Sequence, residues 1–86
     1  MYIPDYLIFD NKYKGLGMAE KLLYATILDK AGFDVYCHYP HTELAKLFNV
    51  STNTIKRYKD NLEAYGLIQL EEDRRNNTDR IWIVNR

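Results

Sequence analysis

The chain has 86 residues, of which 47% are hydrophobic and eight are tyrosines, enough for one small domain with an aromatic-rich core. Twelve Lys and Arg balance twelve Asp and Glu, so overall charge gives no signal for nucleic acid, and any such case must rest on where the charges fall. A single cysteine, Cys37, excludes an internal disulfide and fits a reducing cytoplasm. No apolar run approaches the roughly 18 residues of a membrane span, and the opening MYIPDYL lacks the basic-then-apolar pattern of a secretory leader.

In chain order, residues 2–9 (YIPDYLIF) are apolar around Pro4 and are expected to form an extended arm, followed by a loop over residues 10–17 (DNKYKGLG). From Met18 to Lys30 the spacing predicts a helix, with Ala19, Leu22, Leu23, Thr26 and Ile27 on one stripe. Glu20 in its first turn and Lys30 in its last suit the helix dipole, and Gly32 stops it. Residues 35–39 (VYCHY) predict a short strand ended by Pro40.

Thr42 is then expected to cap a two-turn helix carrying Leu44, Ala45, Leu47 and Phe48. Asn49, which tolerates left-handed backbone, breaks it, and Val50 is an apolar plug in the turn. Ser51 caps a second helix with Ile55, Tyr58, Leu62 and Tyr65 on its inner face and Gly66 at its end. Residues 67–70 (LIQL) and 81–84 (IWIV) predict two strands of a hairpin, with residues 71–79 (EEDRRNNTD) as its polar tip. The expected fold is mainly α with a small β-hairpin wing, a winged helix-turn-helix. It forms one domain, divided into an arm and loop (1–17), a first helix (18–31), the helix-turn-helix (42–66) and the wing (67–86).

A helix-turn-helix lays the start of its second helix in the major groove of double-stranded DNA. Groups there must be short, polar and able to donate and accept. Ser51, Thr52, Asn53 and Thr54 fit, because Asn pairs bidentately with adenine and Thr meets the thymine methyl or a phosphate. Arg57 suits guanine, while Thr42, Lys46 and Lys56 suit the flanks and phosphates. Over residues 42–59 the basic residues are Lys46, Lys56, Arg57 and Lys59, against Glu43 alone, so the neutral total hides a basic segment. The hairpin tip adds Arg74, Arg75 and Asn76 for phosphates or the minor groove, although Glu71, Glu72 and Asp73 stand beside them.

The run Leu62-Glu63-Ala64-Tyr65-Gly66-Leu67-Ile68 resembles the end of the second helix in many bacterial winged helices. With Tyr2-Ile3-Pro4-Asp5-Tyr6-Leu7 and Ala19-Glu20-Lys21-Leu22-Leu23-Tyr24-Ala25, the chain resembles the N-terminal domain of the RepA_N plasmid replication initiators over nearly its whole length. The resemblance implies binding to repeated sites at a plasmid origin, as a homodimer. Three features depart from that family. Only Ala31–Asp34 stands where the family has a longer insertion, Gly17 replaces a frequent serine, and Lys59 occupies a usually apolar core position, with Tyr58 placed to fill the space. Initiators of the family continue beyond the wing, whereas this sequence stops at Arg86. The resemblance therefore implies either a piece of an initiator or a standalone plasmid or phage regulator.

Other readings compete with this one. A winged helix can also serve as a protein-binding module, such as a phage or plasmid decoy of a host factor, which the neutral charge and acidic wing flank favour. Cys37 is expected to be a small buried apolar residue, and His38 and His41 with Cys37 fall short of a zinc set. No phosphate-cradling glycine loop, catalytic triad or paired carboxylates stand out, so no enzymatic activity, cofactor or small-molecule substrate is expected.

Overall fold

The computed structural model describes residues 4–73 and 78–84. Its elements are α1 (Asp5–Phe9), a 3-10 turn (Asn11–Tyr13), α2 (Met18–Ala31), β1 (Tyr36–His38), α3 (His41–Phe48), α4 (Thr52–Ala64), β2 (Ile68–Asp73) and β3 (Thr78–Ile83). The strands form one antiparallel sheet of order β1-β3-β2. The fold is therefore mainly helical with a three-stranded sheet, and its hairpin is the wing. No helix among the described residues is long and apolar enough to cross a membrane.

The expected extended arm is instead helical over Asp5–Phe9. Pro4, at φ −58°, is the cap, where a missing N–H costs nothing, and Asp5 places an acid in the first turn. Proline here starts a helix rather than holding a strand. Tyr2 and Ile3 of that arm lie outside the described residues. The expected loop contains the 3-10 turn, held because the Asp10 carboxylate accepts from the Lys12 N–H at 2.9 Å.

Helix α2 departs from a single stripe: Leu23 to Ile27 are buried without a break, while Leu22 is exposed and Ala19 half-buried. The helix has partners on several sides, since it packs on α4 and on β1, and its Tyr24 hydroxyl meets that of Tyr6 at 3.1 Å. Thr26 donates to the Leu22 carbonyl at 2.8 Å, which satisfies its buried hydroxyl.

The hairpin ladder runs further than its apolar residues. Ile68 pairs with Ile83 and Leu70 with Ile81, and the register continues through Glu71–Arg80 to Asp73–Thr78. Residues expected in the polar tip therefore extend both strands, because ladder bonds are made by backbone, which is indifferent to side-chain polarity. β1 adds to the other edge of β3 with Cys37 opposite Ile81. The inner sheet face gives Cys37, Ile68, Ile81 and Ile83 to the core, which meets Leu23 and Ile27 of α2, Leu44 of α3, and Ile55 and Leu62 of α4.

Gly15 sits where the segment before α2 crosses the end of α4, and a Cβ there would overlap the Tyr65 hydroxyl. Gly15→Ala should therefore cost about 1 kcal/mol in urea unfolding, by forcing the Tyr65 ring aside. Tyr65→Phe should recover part of that loss in the double variant. Full additivity of the two changes would show that the overlap is not the cause.

Candidate nucleic-acid interface

Helix α3 ends at Asn49, whose φ of 56° and ψ of 47° are left-handed. This closes the helix with two backbone bonds: the Asn49 N–H donates to the Lys46 carbonyl at 3.3 Å and the Val50 N–H to the Ala45 carbonyl at 3.0 Å. Ser51 follows in extended backbone, and its hydroxyl accepts from the Thr54 N–H at 3.2 Å, capping α4. The Ser51 and Thr54 hydroxyls also lie 2.9 Å apart. Both side chains are thus engaged in local bonds, and Thr54 is half-buried.

The remaining candidates on α4 are free of that duty. Thr52, Asn53, Lys56 and Arg57 are exposed at three- and four-residue spacing, so they share the outer face. The Arg57 guanidinium lies 5.9 Å from the Tyr58 ring centre. Further along the helix the charge reverses, with exposed Asp60 and Glu63. The Glu63 carboxylate accepts from the Leu70 N–H at 2.7 Å and so ties α4 to the wing. The outer face of α4 is therefore polar and basic in its first half and acidic in its second.

On α3, Lys46 and Thr42 are exposed, but Thr42 is not the cap expected of it. The cap is Pro40, two residues earlier, so the helix starts at His41, with no side-chain cap bond. Thr42 sits in the first turn with its side chain outward. Arg74, Arg75 and Asn76 lie outside the described residues. At the wing base the Glu71 carboxylate accepts from the Trp82 indole N–H at 2.9 Å and lies 3.5 Å from the Arg80 guanidinium. That acid is committed to partners on its own sheet.

Lys59 requires the largest correction. Counted among the basic residues of the segment, it is 0% exposed and adds nothing to the outer face. The expected inner stripe of Ile55, Tyr58, Leu62 and Tyr65 becomes Ile55, Lys59 and Leu62, with both tyrosines half-buried. The Lys59 ammonium donates to the Tyr39 carbonyl at 3.1 Å and lies 3.0 Å from Nδ1 of His41. The spacing already contained this signal, since position 59 falls four residues after Ile55 and three before Leu62. The surface balance over the segment is Lys46, Lys56 and Arg57 against Glu43.

Cys37 is buried, with its thiol 3.9 Å from the Ile27 carbonyl. Burial pushes the thiol up from its ordinary value, partly opposed by the charges of Lys59 and Lys30. Among the described residues, no three His, Cys, Asp or Glu side chains converge as a metal site.

Two short helices joined through a left-handed turn, the second capped by serine and followed by a β-hairpin, define a helix-turn-helix domain. Residues 14–68 match the family described as a helix-turn-helix domain, and the chain belongs to that family. A 41 kDa protein of Lactobacillus helveticus is 26% identical over 98 aligned residues, covering 94% of this chain but 28% of that protein. The chain thus spans little more than a quarter of this relative's length. Two solved structures share the fold at a TM-score of 0.78 and 20% identity, each over 98% of this chain. One is described as the N-terminal domain of a DNA binding protein, matched over 72% of its length, and the other as a Rep–DNA complex, matched over 73%.

Ser51→Ala should lower stability by about 1 kcal/mol, and Ser51→Gly by only a few tenths, in urea unfolding. Equal losses for the two would remove the cap as the cause.

Proposed function

We propose that this domain binds double-stranded DNA with sequence preference, using the first half of α4 as its reading element. The supporting observation is the outer face of Thr52, Asn53, Lys56 and Arg57, exposed directly after a turn fixed by backbone bonds. Asn53 and Arg57 are the base-reading candidates, Lys46 and Lys56 the phosphate contacts, and Thr42, Ser51, Thr52 and Thr54 line the approach. Arg74, Arg75 and Asn76 would add wing contacts. The likeness to a Rep–DNA complex and the RepA_N resemblance support the finer reading of a plasmid initiator domain or a related regulator, acting in the bacterial cytoplasm.

A homodimer follows from the same reading, since one module this small covers few base pairs and a two-fold pair doubles the site. Phe9 is 79% and Met18 65% exposed, which supports the N-terminal part as the contact. The alternative of a protein-binding module draws on the apolar Phe33, wholly exposed in the connection between α2 and β1.

Selection from a random duplex pool tests the reading. An enriched motif is expected, palindromic or regularly repeated. Absence of enrichment at low salt, from folded protein, would leave the protein-binding alternative. On the best site Arg57→Ala should cost about 1–3 kcal/mol and relax preference at one position. Arg75→Ala should weaken binding evenly across sequences and reduce the salt slope by about 1. An unchanged affinity in Arg57→Ala would take that residue out of the interface.

A further inference from the structure

A wholly buried lysine in a domain this small requires a reason. Apolar side chains are the ordinary occupants of such positions, and an uncompensated buried charge is strongly destabilising. Lys59 is compensated by two acceptors on a single short segment: the carbonyl of Tyr39, just after β1, and Nδ1 of His41, the first residue of α3. One ammonium on α4 therefore grips the start of the other helix of the unit. An imidazole nitrogen 3.0 Å from an ammonium can accept only while it carries no proton.

We propose that Lys59 and His41 form a one-proton clamp that sets the position of α4 against the start of α3, so that acid weakens DNA binding by releasing it. The proposal rests on the DNA-binding reading. Lys59 and His41 are positioning residues in it and do not touch DNA.

Among the described residues, the charges set round the pair are cations or exposed acids. From α2, Lys30 places its ammonium over the Tyr39 ring, 5.4 Å from the centre, and adds positive charge. From β1, Cys37 has its thiol pushed up by burial despite Lys59 and Lys30, so it stays neutral and supplies no counter-charge. His38 is on the outer sheet face, opposite Arg80. Glu43 in the first turn of α3, Asp34 before β1, and Asp60 on α4 are exposed, where water screens them. Lys46 and Lys56 are exposed cations on the two helices themselves.

In the unfolded chain His41 takes up a proton as pH falls through about 6.5. In the folded chain that proton places two positive charges side by side, so it enters only as the clamp opens. The clamp's stabilising contribution is therefore complete above that pH and falls progressively as pH drops below it.

The test measures duplex affinity on the selected site at pH 7.5 and 5.5, at a temperature where circular dichroism shows the chain folded at both. The wild-type chain should lose about tenfold in affinity on acidification. His41→Asn, which keeps an acceptor without a titrating group, should be flat, and so should Lys59→Met. The chain has only two histidines, so His38→Gln is the control and should keep the wild-type loss. Parallel losses in wild type and His41→Asn would overturn the clamp, as would a loss abolished by His38→Gln. If no duplex is bound at any pH, the DNA reading fails and the pH profile of the unfolding midpoint decides the clamp. A midpoint that drops with acid in wild type but not in His41→Asn supports it, and equal drops overturn it.

Discussion

The left-handed residue at Asn49 is the constraint on which the rest depends. It lets the last turn of α3 close with backbone bonds to Ala45 and Lys46 and turns the chain within two residues toward the Ser51 cap. The far end of α4 repeats the device. Gly66, at φ 77°, donates to the Glu63 carbonyl at 2.9 Å, and the Leu67 N–H donates to that of Leu62 at 3.1 Å. Both ends of α4 are thus set by main-chain geometry and one serine hydroxyl. Its inner face is held by Ile55, Lys59 and Leu62. On its outer face Glu63 ties the helix to the wing, while Thr52, Asn53, Lys56 and Arg57 of the first half make neither the cap bond nor that tie, which leaves residue types there free to serve recognition.

These local devices are what the sequence displays most clearly. Asn49, Ser51 and Gly66 each carry their conformational preference in their own chemistry, so the turn, the cap and the stop are legible without knowledge of the fold. Features that depend on distant partners are less legible. Leu22 belongs to a periodic stripe but is exposed, because α2 buries the neighbouring run Leu23–Ile27 against several elements instead. The helix at Asp5–Phe9 is hidden by Pro4, which is as compatible with a cap as with an extended arm. The strands outrun Leu70 and Ile81 because backbone pairing continues where apolar patterning stops.

Lys59 shows the limit most sharply. A charge count assigns it to the surface, whereas helical spacing assigns it to the core. Spacing prevails because the fold brings the Tyr39 carbonyl and His41 to its ammonium from 20 and 18 residues away in the chain. No local pattern announces those acceptors. A lysine at a core position needs such a distant partner, and the apolar residues on either side of it in the stripe are the clue that one exists.

Removing Lys59 from the surface changes how the proposed function must work. With Lys46, Lys56 and Arg57 against Glu43 in the unit, and Asp60 and Glu63 further along α4, the two helices by themselves offer phosphates only a small excess of positive charge. Acids near the end of α4 disfavour laying the whole helix along the groove and favour an approach by its first half, where Thr52, Asn53, Lys56 and Arg57 stand. Recognition built this way gains less from charge and more from the placement of a few side chains. On that reading it is sensitive to small shifts of α4 on α3, and the buried ammonium of Lys59, bonded to the Tyr39 carbonyl and His41, joins the Asn49 turn and the shared apolar core in holding the two helices together.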